Sequence, residues 1–296
     1  MKKAAVINDL SGFGKCSLTA AIPVLSTLGV QCCPLATAVL TGQTGYSCYH
    51  CTDLTDMIKD YIDAWSRNNE HFDAIYSGFL NGPGQTALVM DFLSRFRRED
   101  TLLLVDPVMG DDGKVYSIYS PQLLEGMKRL TVDADLITPN LTEACFLTDT
   151  NPDEINACRG EAQLLSFAET IADKLRRRAK REQDVVITGV KCREEDTPVI
   201  CNVTATGRGI TVSRSPFFDR SFSGTGDLMA SVLCGCRLND MHTEAAVELA
   251  GRFLSHSIED TMKENTPSAA GVNFEKHLIE LILEGTDYGK DSLCIQ

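Results

Sequence analysis

The sequence lacks any apolar stretch near the roughly 20 residues that a membrane-spanning helix requires. Residues 1–9 turn polar again too soon for the apolar region of a secretory signal. Positive charge is also scarce, because 28 Lys and Arg face 41 Asp and Glu, giving a net charge of −13 and a pI near 4.8. These absences predict a cytoplasmic protein that binds neither membranes nor nucleic acid.

One basic run, residues 174–181, is compatible with that prediction. Apolar residues just upstream of it recur at helical spacing, as at Leu164, Ala168 and Ile171. The run therefore indicates the solvated face and C-terminal end of a helix, where positive charge is favourable.

A second CxxC pair is missing, although Cys48 and Cys51 form one such pair around His50. Zinc or redox use of this pair would need further ligands at matching spacing, which makes it the weaker alternative. The twelve cysteines are dispersed, and several lie among apolar neighbours, as Cys145 and Cys234 do. Such cysteines behave as small hydrophobic residues, which predicts free thiols in a reducing compartment.

No Pro-, Gly- or Ser-rich linker and no internal repeat interrupts the chain, which predicts one domain over residues 1–296. Strand-like and helical segments alternate, which predicts an α/β fold: a single doubly wound, mostly parallel sheet with helices on both faces and antiparallel edge strands. We expect strands at residues 3–8, 31–40, 72–76, 101–105, 134–137, 185–187, 198–203 and 210–213, and helices at 18–28, 52–65, after 83, and at 225–236, 243–262 and 274–283.

Polar residues directly follow three of the predicted buried strands. In doubly wound sheets, ligands bind beyond the carboxyl ends of the strands, so such residues should meet at one edge. The residues concerned are Asp106, Asn140, Glu143 and Thr188, together with the turn at residues 224–227.

Residues 224–227 read Gly-Thr-Gly-Asp and precede an apolar run that predicts a helix beginning near Thr225. Glycine lets backbone approach a ligand closely, and a helix start offers unpaired N–H groups that favour phosphate. Asp227 could accept the proton that a hydroxyl loses during phosphoryl transfer. The alternative is an ordinary capped helix start.

Asp106 and the pair Asn140 and Glu143 each allow two interpretations. Pro107 keeps Asp106 extended at a strand tip, where its carboxylate could contact Mg²⁺ or merely cap a turn. Asn140 and Glu143 have the spacing of a capping box, and they could equally contact nucleotide phosphates and Mg²⁺.

The segment Phe13-Gly14-Lys15-Cys16-Ser17 is similar to the end of a phosphate-binding P-loop but does not match it. Asp9 occupies the position of the first required glycine, and Cys16 follows Lys15 where Ser or Thr is needed. A tight turn beside a substrate is the better interpretation of this loop.

Taken in order, these segments resemble the pyridoxal/pyridoxamine kinases of the ribokinase-like superfamily. The resemblance runs nearly end to end and is specific in its ordered spacing, whereas Gly-Thr-Gly-Asp alone marks only the superfamily. The matching segments are Thr44–Tyr46, Ser77–Leu80, Asp106–Gly110 with Asp112–Tyr116, Thr138–Glu143, Val186–Thr188 and Gly224–Asp227.

The resemblance implies ATP-dependent phosphorylation of the 5′-hydroxymethyl group of a vitamin B6 compound. It implies Asp227 as catalytic base, and it implies a Mg²⁺ ion, a homodimer and in some members a monovalent cation such as K⁺. The other implied roles are an anion hole at Gly224, Thr225 and Gly226, Mg²⁺ contact at Asp106 and Glu143, ATP contact at Asn140, Glu143, Thr188, Arg214 and Phe217, and substrate contact at Asp9, Thr44, Gly45 and Asp227.

Asp9 departs from the family pattern, in which Ser is common, and could shift the preference among B6 vitamers. Gly42-Gln43 also replaces a common Asn-His before Thr44. A related hydroxymethylpyrimidine kinase is the alternative activity, but those kinases commonly carry Cys at the position of Asp227. A non-catalytic binding protein on the same fold is the alternative from another class.

Overall fold

A computed structural model of the chain describes residues 1–116, 120–195 and 197–285. The strands are β1 (Lys3–Ser11), β2 (Gln31–Leu40), β3 (Cys51–Asp53), β4 (Ala74–Ser77), β5 (Leu102–Val105), β6 (Gly110–Asp111), β7 (Lys114–Val115), β8 (Leu136–Ile137), β9 (Asp184–Glu194), β10 (Thr197–Thr206) and β11 (Gly209–Pro216). The helices are α1 (Ser17–Thr27), α2 (Thr55–Arg67), α3 (Pro83–Phe96), α4 (Pro121–Asp133), α5 (Leu141–Leu147), α6 (Asp153–Ala157), α7 (Glu161–Arg178), α8 (Thr225–Leu238), α9 (Thr243–Lys263) and α10 (Leu278–Gly285).

Nine strands form one sheet in the order β11-β10-β9-β8-β5-β4-β1-β2-β3, and β6 and β7 form a separate hairpin. The pairs from β9 through β8, β5, β4 and β1 to β2 are parallel. The pairs β9–β10, β10–β11 and β2–β3 are antiparallel. The predicted parallel sheet with antiparallel edge strands is confirmed.

The sheet is covered on both faces, as the apolar runs of its central strands require. One apolar cluster contains residues of α2, α3, α4, α5 and α7, with Phe92 among its fully buried side chains. The other contains residues of α1, α8 and α9, with Phe253 fully buried. Strand order reverses between β1 and β4, and such a switch point opens a crevice at the carboxyl ends of the strands.

Several element bounds differ from those expected. Helix α2 begins at Thr55 and not near residue 52, because residues 51–53 pair with β2 as the short strand β3. Helix α10 begins at Leu278, after a 3₁₀ turn over residues 275–277. The hairpin β6–β7 and helices α4 and α6 were not predicted. The hairpin and α6 are too short to show a period, whereas α4 has buried residues at helical spacing, Leu123, Met127 and Leu130, that could have predicted it. None of the helices within the described ranges is long and apolar enough to cross a membrane.

Candidate active site

Helix α8 begins where the sequence predicts, and Gly224 caps it in the left-handed region with φ of 82°. A Cβ atom at this position would lie 2.2 Å from the carbonyl oxygen of Lys15, so no residue with a side chain fits. Gly271, with φ of 83°, meets the carbonyl of Gly14 in the same way, again at 2.2 Å. The loop between β1 and α1 is therefore clamped between two glycines, directly against the start of α8.

Asp227, in the first turn of α8, is held by two donors from the β1 side of the cleft. Asn8 Nδ2 donates to its Oδ1 at 3.2 Å, and the backbone N–H of Ser17 also donates to the carboxylate. Burial, together with the charge of Asp9, raises the pKa of Asp227 to about 6 in spite of these bonds. As a whole residue Asp227 is only partly buried.

Asn8 is a site residue that sequence reasoning missed, having placed it only at the end of a strand. It is fully buried, and its Oδ1 accepts the backbone N–H groups of Asp9 at 3.0 Å and Phe79 at 2.9 Å. Gly78 makes room for it, because a Cβ there would lie 2.4 Å from Asn8 Nδ2. Asn8 thus joins β1, the end of β4 and Asp227 at the switch point.

Asp106 lies at the tip of β5, as predicted, and faces the start of α8. Thr138 Oγ1 donates to its Oδ1 at 3.0 Å, whereas Oδ2 is the side-chain atom nearest the position a Cβ of Gly226 would take, at 3.9 Å. Burial and the nearby charge of Asp227 raise the pKa of Asp106 to about 7. Two carboxylates with raised pKa values therefore meet beside the Gly-Thr-Gly-Asp turn.

Asn140 and Glu143 form the capping box that was one of their two interpretations. Asn140 Oδ1 accepts the Glu143 N–H at 2.9 Å, and Glu143 Oε2 accepts the Asn140 N–H at 2.8 Å. Glu143 Oε1 also accepts the Met109 N–H at 2.9 Å. Burial and the charge of Asp106 raise the pKa of Glu143, although these backbone donors favour its charged form.

Thr188 lies beside this capping box. It forms a parallel bridge with Asn140, and its N–H donates to the Pro139 carbonyl at 2.9 Å. Asn140 Nδ2 donates to the Gly110 carbonyl at 2.8 Å, which ties the β6–β7 hairpin to the same edge. The structure therefore brings Asn140, Glu143 and Thr188 together, one strand away from Asp106.

Asp9 lies on the β1 side of the cleft, where the pairing of β1 with β2 is irregular between Asn8 and Leu10. Its carboxylate is buried and accepts hydrogen bonds from Ser11 Oγ at 2.8 Å and from Ser17 Oγ. Burial raises the pKa of Asp9. Irregularities of this kind redirect side chains and are frequent beside active sites.

Thr44 and Gly45 lie in an exposed loop that packs against the β1–α1 loop. Gln43 makes the contacts, because its N–H donates to the Phe13 carbonyl at 2.9 Å and its Nε2 to the Ala269 carbonyl at 3.1 Å. Gly45 N–H donates to Gln43 Oε1 at 2.6 Å. The predicted substrate loop is thus adjacent to the clamped β1–α1 loop.

Arg214 and Phe217 lie farther out, at the antiparallel edge of the sheet. Arg214, on β11, pairs with Glu161 at 3.4 Å and is exposed. Phe217 follows β11 and is bound through its N–H to the Pro198 carbonyl at 3.2 Å. The structure gives neither residue a contact with Asp227 or Asp106.

Comparison with known proteins matches residues 14–271 to the model of the phosphomethylpyrimidine kinase family. That match spans the sheet except β1 and includes the segments that carry Asp106, Asn140, Glu143, Thr188 and Asp227. The chain belongs to this family. The family assignment confirms the superfamily that the ordered motifs predict.

Relatives of this family member include a pyridoxal kinase of Leifsonia xyli, 24% identical over 252 residues, which cover 83% of this chain and 84% of the relative. A structure of pyridoxal kinase from Lactobacillus plantarum is 26% identical, with a TM-score of 0.84 over 96% of this chain and 98% of that one. A Bacteroides thetaiotaomicron protein assigned as a phosphomethylpyrimidine kinase, in a crystal form with pyridoxal, is 34% identical, with a TM-score of 0.84 over 95% of both chains.

Proposed function

We propose that the protein is a vitamin B6 kinase that transfers the γ-phosphoryl group of ATP to the 5′-hydroxymethyl group of pyridoxal, pyridoxamine or pyridoxine. The observation that carries the proposal is Asp227, whose carboxylate is oriented by Asn8 and by the Ser17 N–H at a glycine-capped helix start. Relatives named pyridoxal kinase and the pyridoxal crystal form of the Bacteroides protein support the choice of substrate.

Asp227 acts as the base during, not before, phosphoryl transfer. A pKa of about 6 leaves its carboxylate charged at neutral pH, yet far too weakly basic to deprotonate an alcohol in advance. It orients the hydroxyl and takes the proton as the new P–O bond forms. The N–H groups at Gly224, Thr225 and Gly226 offer hydrogen bonds to the charge on the transferring phosphoryl group.

The carboxylates beside the turn fit a divalent cation. The charge of Asp227 disfavours the charged form of Asp106, and one oxygen of Asp106 takes no bond from Thr138. Asp106 would hold Mg²⁺, and Glu143, whose oxygens already accept backbone N–H groups, would contribute through water. When bound, Mg²⁺ neutralises phosphate charge and orients the phosphates.

The remaining site roles follow from position in the cleft. Asn140, Glu143 and Thr188 form one cluster at the sheet edge and would contact ATP. Arg214 and Phe217 would approach the nucleotide from the antiparallel strands. Asp9, Thr44 and Gly45 flank the β1–α1 loop on the opposite side and would contact the B6 ring, with Asp9 preferring a donor on the substrate.

Further features of the proposal concern the whole protein. We propose one kinase domain over residues 1–296, since the described strands that carry the site share a single sheet. We also propose a cytoplasmic homodimer, with a monovalent cation such as K⁺ as a further activator. The net charge of −13 argues against nucleic acid as a partner.

A substrate panel tests the function. Purified protein is incubated with ATP and Mg²⁺ and with pyridoxal, pyridoxamine, pyridoxine or hydroxymethylpyrimidine, and phosphorylated product is measured by mass. We expect turnover of at least one B6 vitamer. Turnover of hydroxymethylpyrimidine alone would assign the alternative kinase activity, and calorimetric binding of pyridoxal without any turnover would assign a binding protein.

A further inference from the structure

Two cysteines and a glutamate converge on the antiparallel side of the sheet, outside the proposed active site. Cys192 lies on β9, Cys201 on β10 and Glu161 at the first position of α7. Their sulfur and carboxylate atoms all lie within 4.8 Å of one another. We propose that these three side chains form a binding site for Zn²⁺ or a similarly thiophilic divalent ion. The inference does not rest on the kinase proposal.

The strand register favours a metal over a disulfide between the cysteines. Cys192 pairs with Val199 and Cys201 with Val190, so the two cysteines are diagonal neighbours on one face of the ladder. Diagonal pairs have Cα atoms about 7–8 Å apart, beyond the reach of an unstrained disulfide. Two Zn–S bonds of about 2.3 Å at a tetrahedral angle bridge a sulfur separation of roughly 3.8 Å.

Glu161 completes a mixed sulfur and oxygen donor set of the kind that Zn²⁺ accepts. Arg214 donates to its Oε1 at 3.4 Å, which leaves Oε2 for the ion and fixes the orientation of the carboxylate. Arg214 is also opposite Cys201 in the β10–β11 register, so it covers the same face. The Glu161 side chain is 23% exposed, which provides an entry path to the two buried thiols.

The charges also balance when a divalent ion is bound. Two thiolates and one carboxylate carry three negative charges, and Zn²⁺ with the Arg214 guanidinium carries three positive ones. Both thiols must lose their protons for this, so binding releases protons to solution. The alternative is a purely structural role, in which Cys192 and Cys201 are small apolar residues of the core, where both are buried.

Cobalt titration tests the site, because Co²⁺ replaces Zn²⁺ in such sites and reports thiolate ligands by charge-transfer absorbance. The full-length protein is stripped with a chelator, kept reduced, and titrated with Co²⁺ and then Zn²⁺. We expect one equivalent bound, a near-ultraviolet thiolate band, about two protons released, and displacement of Co²⁺ by Zn²⁺. A titration without the thiolate band would overturn the proposal.

Variants assign the ligands. The double variant Cys192→Ser/Cys201→Ser should abolish the thiolate band, and Glu161→Gln should weaken binding at least tenfold. Circular dichroism shows whether the two buried serines impair folding. If they do, the Glu161→Gln variant still tests the site. The matched control Cys48→Ser/Cys51→Ser removes the exposed CxxC pair, and His256→Gln removes a surface His/Glu group. Both controls should bind Co²⁺ like wild type. Loss of the thiolate band in either control would contradict the assignment, and so would its persistence in the Cys192→Ser/Cys201→Ser variant.

Discussion

Two acidic sites lie side by side at the same edge of the sheet, and they differ in how many hydrogen-bond donors their carboxylates receive. At α5, the carboxylate oxygens of Glu143 accept backbone N–H groups and complete a capping box. Near the start of α8, Asp227 and Asp106 receive fewer donors, and their pKa values are raised to about 6 and 7. The pKa of Glu143 is raised as well, so the two sites differ in their hydrogen bonds and not in the direction of the pKa shift. Carboxylate oxygens that already accept backbone N–H groups indicate a structural role, whereas those with few donors are open to a ligand.

Asp227→Asn is the most severe test of this comparison. Asparagine keeps the size of the side chain and can still accept the Asn8 amide proton, but it cannot take a proton from the substrate. We expect kcat with the preferred vitamer to fall by about 10²- to 10⁴-fold, while pyridoxal binding and Tm stay near wild type. A folded variant with near wild-type kcat would show that Asp227 is not the base.

The pH dependence of kcat/KM should report the protonation of Asp227 and Asp106. Asp227 and Asp106 must be charged to accept a proton and to hold a cation, and burial raises both pKa values into the range of about 6 to 7. We therefore expect kcat/KM to fall about tenfold per pH unit between pH 7 and pH 6, where one group gains a proton, and about a hundredfold per unit below pH 6, where both do. The measurement uses a series of overlapping buffers, and a value of kcat/KM that stays level down to pH 4.5 would contradict this expectation.

Glu143→Gln should damage the fold more than the chemistry. The amide group of glutamine has only one acceptor oxygen, so at least one buried backbone N–H loses its partner. Each such loss costs about 1–3 kcal/mol of the free energy of unfolding. Thermal unfolding without nucleotide should show a lower Tm, and an unchanged Tm would mean that the capping box is not needed for stability.

Asp106→Asn should change stability the least of these variants, and it should raise stability where Glu143→Gln lowers it. The folded protein holds a proton on Asp106 up to a pH of about 7, whereas the unfolded chain loses it near 3.8. The native state thus binds more protons between these values, and stability contributed by this group is lost as pH rises through about 7.

The substitution removes that loss, so in chelator at pH 8 we expect Tm to rise by about 1–4 °C, with a smaller rise at pH 5, where only part of the loss has occurred. Asp100→Asn, an exposed carboxylate just before β5, is the matched control and should change Tm at neither pH. Activity of Asp106→Asn with Mg²⁺ should fall nonetheless. A lower Tm at pH 8 would indicate that Asp106 stabilises the fold.

Sequence patterns predicted what depends on local periodicity and on chain direction. The start of α8 at Thr225, the bounds of β2 and the position of Asp106 at a strand tip all follow from neighbouring residues. The approach of Asp106 and Asp227 follows from the rule that parallel strands end at one edge. The capping box of Asn140 and Glu143 could be predicted from spacing alone, whereas a role of these residues in binding could not.

Contacts between distant segments could not be predicted from the sequence. Asn8 bonds to Asp227 across 219 residues, and Thr138 bonds to Asp106 across 32. No periodicity marks such partners. The weak signal that could have found Asn8 is its place directly before Asp9, at the end of the first buried strand. The Cys192 and Cys201 pair is similarly visible only once the β9–β10 register is known.

The clamp around the β1–α1 loop has a consequence for which of its residues can be changed. Gly224 and Gly271 contact carbonyl groups of the loop, and Asp227 receives the Ser17 N–H, so the loop is positioned through its main chain. The Phe13 side chain is 71% exposed and takes no part in these main-chain contacts. Substitutions on the outward face of the loop should therefore leave the Ser17 N–H bond to Asp227 in place.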